Sequence, residues 1–424
     1  MNLYLGIDFG TSGARAIVIN AEGIIQAETQ YPFPATVVAT AEHWQQALET
    51  LIEQIPQKLR REIRAVAING TSSTVLLCDQ LGKPVDAPIL YYNDGRGVSM
   101  LEKLKAIAPP NHVVLSATSS LAKLLWLVEN TLVERQSQTK FNIENCYFLH
   151  QADWLAFLLH GNLGISDYHN ALKLGYDPQK LCYPTWLEQL TVLPILPQVL
   201  APGTPVSEVT AEVAYRLGLR RDCIVCTGTT DSIAAFIASG AKQPGEAVTS
   251  LGSTLVLKLL SHTPIDNASY GIYSHRLGDL WLAGGASNTG GAVLRHFFSD
   301  RELESLSRQI DARQESPLDY YPLLKPGDRF PVNDPHLPPK LEPKPAEAVE
   351  FLQGLLESMS RIEARGYHLL QQLGATCLTR VYTAGGGAKN NAWRVMRQRH
   401  LQVPVVPSKH TAAAYGTALF TIGD

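Results

Sequence analysis

The stretch LYLGIDFGTSGARAIVIN, residues 3–20, decides how this chain is read. Apolar residues alternate up to Asp8. Gly10, Thr11, Ser12 and Gly13 follow, and then a second apolar run, AIVI. The pattern predicts strand, tight polar turn, strand. Glycines tolerate positive φ and leave room for a ligand against the backbone. Thr11 and Ser12 add hydroxyl donors, and a turn of this kind suits phosphate oxygens. Asp8 closes a buried strand, where a carboxylate is costly unless a cation or a reacting hydroxyl meets it. The plainer reading is an ordinary hairpin with a polar tip.

The pattern recurs. VTSLGSTLVLKLL, residues 248–260, brings an apolar approach to Gly252, Ser253 and Thr254 and leaves on an alternating strand. Two such hairpins predict two similar halves, each with its own phosphate-binding turn. A third glycine cluster stands in VYTAGGGAKNNAWRVMRQ, residues 381–398. There a strand runs into Gly385, Gly386 and Gly387, and Asn390 and Asn391 open a helix whose first amides suit a nucleotide. No segment has the spacing G-x-x-x-x-G-K-[ST], so a P-loop is excluded.

These segments together resemble the FGGY carbohydrate kinases, within the actin, hexokinase and heat-shock ATPase superfamily. DFGTSGARA is similar to the family's first phosphate loop and SLGSTLVLKL to its second. TAGGGAKNNAWRVM is similar to the adenosine motif, and CTGTTDSIAAFIASGAKQPGEA, around Asp231, to the catalytic-aspartate segment. QADWLAFLLHGNLGISDYHNALKLGYDPQKLCYPTW resembles the sugar-domain signature. The five segments keep the family's order nearly end to end. The resemblance implies an α/β fold of two actin/hexokinase-like (ribonuclease H-like) domains with an ATP cleft between duplicated halves. It implies phosphoryl transfer from ATP, with Mg²⁺, to a small sugar. The group it resembles most is the short plant and cyanobacterial sugar kinases, which points to D-ribulose; D-xylulose, a polyol or glycerol are the alternatives. An ATP-driven conformational switch without a sugar acceptor is the alternative of another class, against which stands the sugar-domain segment.

Composition fits this. A chain of 424 residues, 45% hydrophobic and 18% charged, is long enough for two cores. A net charge of −3 gives no sign of nucleic-acid or membrane-surface binding. MNLYLGID has neither a basic nor an apolar leader region, and no apolar run reaches the ~18 residues of a membrane span. A cytoplasmic protein is expected, or a plastid one if a transit peptide is absent from this sequence. The six cysteines are scattered; Cys223 and Cys226 form a C-x-x-C that reads as part of a buried strand, since no second pair completes a zinc site.

Along the chain, LYLGIDF, RAIVIN, GIIQAETQYPF, a helix from Glu42 to Ile55 capped by Thr40, and AVAING make a βββαβ order. Further helices are expected at Ser119–Asn130, at GGAVLRHFF and at Pro345–Leu373. The proline-rich segment 320–345 is expected to be an ordered surface loop, with a flexible linker as the alternative. Domain limits are placed at 1–228, 229–405 and a returning C-terminal helix at 406–424.

The resemblance also assigns roles. Asp231 would be the general base, its alternative being a helix N-cap. Asp8 would be the Mg²⁺ ligand, largely through water, and would also touch the acceptor. Gly10, Thr11, Ser12 and Gly13 would face the γ-phosphate, and Gly252, Ser253 and Thr254 the β- and γ-phosphates. Gly386, Gly387, Asn390 and Trp393 would border the adenosine, with a core role open for Trp393. Gly290, with Gly291, would let the nucleotide approach a helix start or else allow close packing. On the sugar side stand Ser72, Asn93, Asp94 and Arg96, with Asp167 in ISDYHNA. Ser72 is small where many members of the family carry a large polar residue. For Asn93, Asp94 and Arg96 a surface turn held by an Asp–Arg pair is the alternative.

Overall fold

Strand β1 (Leu3–Phe9) turns at Gly10–Gly13 into the antiparallel β2 (Gly13–Asn20), and β2 pairs with β3 (Ile25–Pro32). The computed structural model describes residues 2–34, 40–135 and 143–423. After the helix Ala41–Gln54, β4 (Ile63–Gly70) returns parallel to β1. Thr40 caps that helix as expected: its hydroxyl accepts from the His43 amide. Trp44, Leu48, Leu51 and Ile52 form its buried stripe.

Two short ribbons follow, β5 (Val75–Cys78) with β6 (Tyr147–His150) and β7 (Ile165–Asp167) with β8 (Gln198–Leu200). The main sheet then closes with β9 (Pro205–Glu208), β10 (Ile224–Cys226) and the two-residue β11 (Thr229–Thr230), in the order β3-β2-β1-β4-β10-β9, with β11 also on β4. Cys223 and Cys226 are buried free thiols whose pKa values burial raises, as the strand reading expects.

The second half repeats the plan. β12 (Glu246–Leu251) turns at Gly252–Thr254 into the antiparallel β13 (Leu255–Ser261). β14 (His275–Leu277) and β15 (Leu280–Ser287) continue on that side, while β16 (Arg380–Ala384) and β17 (Val405–Pro407) lie parallel on the other. The order is β14-β15-β13-β12-β16-β17. Both sheets thus join an antiparallel hairpin to a parallel strand on the same side, which is the internal repeat the two glycine turns predicted. The register of the repeat is informative. Asp8 lies beside Asn69 on β4, and Ser250, at the same position before its turn, lies beside Ala384 on β16. One half carries a carboxylate where the other carries a hydroxyl.

The chain forms two compact units, Met1–Ala238 with Ala412–Asp424, and Ser239–Thr411. The first division falls after the helix Asp231–Ala238, not at Gly228. That helix packs on the C-terminal helix Ala413–Leu419, itself seated on β1 and β2, so it stays with unit 1. Close backbone approach makes this packing possible: a Cβ at Gly6 would fall 2.0 Å from the Ala414 carbonyl oxygen, and one at Gly416 would fall 1.9 Å from that of Ala234. In unit 2 the helix Ala348–Gln372 covers the sheet, with Leu352, Leu355, Leu356 and Met359 fully buried. The proline-rich segment is ordered. Tyr320, Leu323 and Phe330 are buried, and the Asp328 carboxylate accepts from Ser287 Oγ, the Asn288 amide and Tyr321 OH.

Candidate active site

In unit 1 the parallel strands β1, β4 and β11 end side by side. Asp8 is level with Asn69, and Asn69 with Thr229. Asp231 follows β11 directly and is the first residue of the helix Asp231–Ala238; its Oδ1 accepts from the Ser232 amide at 2.7 Å. Ligands in α/β sheets gather outside such carboxyl ends. Asp8 Oδ1, Asn69 Oδ1 and Thr230 Oγ1 are all buried and have no hydrogen-bond partner among the described residues. Three orphaned polar atoms on neighbouring strand ends call for an outside ligand.

Burial pushes the Asp8 carboxyl up to about 7, and the Asp231 charge adds to this; Arg15 and a hydrogen bond from Asn69 pull the other way. Arg15 stands directly across the hairpin from Asp8 and pairs loosely with Glu28 at 3.5 Å. Sequence reasoning passed over Arg15, although strand alternation from Gly13 puts it on the face of Asp8's partner position. The donor set suits a hydrated divalent cation: one carboxylate with a free oxygen, held near its ionisation midpoint, which a cation would ionise. The turn itself is tight, with Gly10 N–H donating to the Gly13 carbonyl at 3.0 Å and Thr11 and Ser12 exposed.

The residues expected on the sugar side lie on segments that follow β4 in the chain. Ser72 is half-buried in the turn Thr71–Thr74, which is knitted by Thr71 Oγ1 to Thr74 Oγ1 (2.5 Å) and by the Thr71 amide to Gln151 Oε1 (3.1 Å). Asn93 is exposed. Asp94 is gripped by Arg96, at 2.6–3.1 Å from Nη2 and Nε, and this hydrogen bonding holds its carboxyl below the usual range. The Asp–Arg turn is therefore present, whatever else Asp94 contacts. Asp167 is buried and caps a short helix, accepting from the His169 and Asn170 amides at 2.8 and 3.1 Å. His169 Nδ1 in turn lies 2.7 Å from Thr229 Oγ1, so this segment braces the strand that delivers Asp231.

In unit 2 three glycine turns converge on Gly252. A Cβ at Gly385, whose φ is +84°, would meet the Leu251 carbonyl oxygen at 2.7 Å. One at Gly290 would meet the Thr254 and Ser253 backbone at 2.8 and 2.9 Å, and the Gly291 amide donates to the Gly252 carbonyl at 2.8 Å. Gly290 and Gly291 thus serve close packing against the Gly252–Thr254 turn. Gly386 faces open space, and Gly252 is nearly as free. Ser253 Oγ accepts from Arg295 Nη2 at 2.9 Å. Arg295 is a cation at the Gly252–Thr254 turn that nothing in the sequence singled out, beyond its place one helical turn after the glycine pair.

One assignment changes. Trp393 is a core residue: 2% exposed and part of the unit 2 hydrophobic core, with no face for adenine. A helical position three residues past a cap reads the same for both roles. Asn390 is occupied as an N-cap, accepting from the Trp393 amide at 3.0 Å and donating to Ser307 Oγ at 2.9 Å. Beneath these turns lies a buried ionic hub. Arg397 binds Glu363 through Nε (2.6 Å) and Nη2 (2.8 Å) and Thr383 Oγ1 through Nη1 (2.7 Å), while Glu363 also accepts from Thr249 Oγ1 at 2.5 Å. Thr249 precedes the Gly252–Thr254 turn and Thr383 precedes Gly385–Gly387, so the hub ties the two together. Glu315, Glu357 and His400 have metal-like spacing. Yet His400 and Arg399 already bind Glu357 and, against its burial, hold its carboxyl at about 2, so this is an ion-pair cluster.

Residues 3–238 match the FGGY family of carbohydrate kinases, N-terminal domain, and residues 247–422 match its C-terminal domain. The chain belongs to the FGGY family of carbohydrate kinases. It is 23% identical to a gluconokinase of Bacillus subtilis over 98% of this chain and 86% of the relative. It is 21% identical to a xylulose kinase of Staphylococcus xylosus over 99% of this chain and 90% of the relative. A xylulose kinase structure from Lactobacillus acidophilus shares the fold, with a TM-score of 0.82 at 17% identity over 99% of this chain and 89% of that one. This FGGY protein is accordingly an ATP-dependent sugar phosphotransferase with a two-domain α/β fold. Among its described residues no helix is long and apolar enough to cross a membrane.

Proposed function

We propose that the protein phosphorylates D-ribulose to D-ribulose 5-phosphate at the strand ends of unit 1. The observation that carries a site there is the trio of orphaned buried atoms on Asp8, Asn69 and Thr230, next to Asp231. Asp231 accepts the proton of the sugar hydroxyl as its oxygen bonds the γ-phosphorus and the bond to ADP breaks. A negative charge at a helix start is favoured by the backbone dipole. Asp8 holds Mg²⁺ when it is bound, and the ion offsets negative charge on the transferring phosphoryl group. In unit 1, Gly10–Gly13 are read as a phosphate turn and Ser72, Asn93 and Asp94 as the sugar set; unit 2, taken by itself, offers Gly252–Thr254, Gly386 and Arg295 to a nucleotide.

Relatives named for gluconate and xylulose support a small polyhydroxylated acceptor. The small side chain of Ser72, and the likeness to the short plant and cyanobacterial kinases, favour D-ribulose among these. The test is ADP release with D-ribulose, D-xylulose, L-ribulose, xylitol, ribitol and glycerol. D-ribulose should lead in kcat/KM by roughly tenfold to a hundredfold, since an inverted hydroxyl leaves a buried partner unpaired. Ser72→Ala should lower kcat/KM for the sugar more than for ATP. A tenfold lead for D-xylulose or glycerol would refute the substrate, and ADP release independent of any sugar would favour a switch.

A further inference from the structure

The turn Thr71–Thr74 and the segment Tyr91–Arg96 are distant in sequence and share one support, the helix Ser120–Arg135. Lys123 on that helix is fully buried. Among the described residues its ammonium has no carboxylate partner at hydrogen-bond distance; it donates instead to the Ser73 carbonyl at 2.7 Å and the Tyr91 carbonyl at 2.6 Å. Burial lowers its pKa to about 8, with the Asp94 charge opposing from farther off. A buried lysine spent on two loop carbonyls is costly unless those loops need holding. Ser73 does: its φ is +63°, a left-handed conformation that a residue with a side chain adopts only when its surroundings enforce it.

Trp126 lies one helical turn after Lys123, on the same face. Its ring sits 4.8 Å from the Arg96 guanidinium carbon, and Arg96 grips Asp94. The loops are also joined directly, since the Tyr92 amide donates to Thr74 Oγ1 at 3.0 Å. Ser72, Asn93, Asp94 and Arg96 stand on these two loops, while Asp167, the remaining sugar-side candidate, ends the strand Ile165–Asp167. None of them is on the helix.

We propose that Lys123 and Trp126 are positioning residues which set the protein's affinity for its acceptor sugar without touching it. This rests on the reading of the two loops as the sugar side. Removing Lys123 takes the ammonium donor from the Ser73 carbonyl and leaves the Tyr91 carbonyl to the Asp94 amide, so Ser73 loses the contact that holds its conformation and Ser72 and Asp94 lose their fixed relation. A loss of that kind falls on sugar binding and spares the nucleotide turns of unit 2.

The test compares Lys123→Met, Trp126→Leu and Ser72→Ala in the full chain. The steady-state KM is measured for ATP and for D-ribulose, or for whichever sugar of the panel is the best acceptor. Lys123→Met is expected to raise the sugar KM by about tenfold or more while the ATP KM stays within about twofold, the split that separates positioning from general damage. Trp126→Leu should do the same more weakly. If Ser72→Ala raises the sugar KM and a folded Lys123→Met does not, the support role is overturned and the sugar-side reading stands. If neither moves it, the reading of the loops falls and takes the proposal with it. An equal rise in both KM values would make Lys123 a general core residue and also overturn the proposal. Should Lys123→Met fail to fold, Trp126→Leu decides: a sugar-selective rise supports the proposal, and an unchanged sugar KM refutes it.

Discussion

Asp8 is a group at odds with its surroundings until something meets it. Its carboxyl is raised from 3.8 to about 7 by burial and then by Asp231. Between those values the native protein keeps a proton that the unfolded chain has released. The native state binds more protons there, so stability falls as pH rises through the window and the full cost is present above about 7. Asp8→Asn should therefore be more heat-stable than the parent at pH 8, by about 1–3 kcal/mol, and the gain should shrink toward pH 4. Mg²⁺ should raise the Tm of the parent at pH 8 and barely move that of Asp8→Asn; equal responses would remove Asp8 from the metal set. Asp231→Ala should lower kcat by roughly 10²–10⁴ while the Kd for ATP stays within a few-fold. Near-normal turnover would leave Asp231 as a helix-start residue and nothing more. Asp8 could be picked out from sequence because a carboxylate ending an apolar strand is rare and costly. Lys123 could not, because a lysine in a helix reads as solvent-facing until the fold buries it.

The glycine turns were readable because each sits between strands of clear alternation, and their recurrence in the sequence is enough to reveal the duplication. What lies behind the turns was not readable. Arg397 and Glu363 come from helices whose sequences give no hint that a charge is buried, yet their pairing ties Thr249 to Thr383. Arg397→Met should strand the Glu363 carboxylate in the core and cost about 3–5 kcal/mol, read as a fall in the denaturation midpoint. Pairing it with Glu363→Leu should recover much of that loss. A single variant as stable as the parent would show that the ion pair is dispensable. Trp393 and Asn390 mark the other limit. Both lie in a nucleotide-like motif, and only the packing shows that one fills the core and the other caps a helix.

At the scale of the molecule, unit 1 is assembled from two distant parts of the chain, 1–238 and 412–424. The sequence suggested the returning helix; it placed the change of unit too early, because Asp231 reads as the start of something new while its helix packs backward. Asn69, level with Asp8, donates to Thr417 Oγ1 at 2.6 Å, so the last helix also touches the strand ends of the site. Gly6→Ala should push that helix off β1, since its new methyl would meet backbone and not a movable side chain. A loss of about 1–3 kcal/mol or more, together with lost turnover, is expected from thermal melts and activity; an unperturbed variant would show that the helix can yield. The seating of this helix has a bearing on how the protein is made. A ribosome finishes the strands and both acidic residues of the site well before it reaches Ala413, with all of unit 2 in between. Until then the nascent first unit has an uncovered sheet face beneath β1 and β2 and cannot settle Asn69. Competence is withheld until late in synthesis, and a chain cut short within unit 2 would carry Asp8 and Asp231 with nothing to hold their strands in register with the helix that completes them.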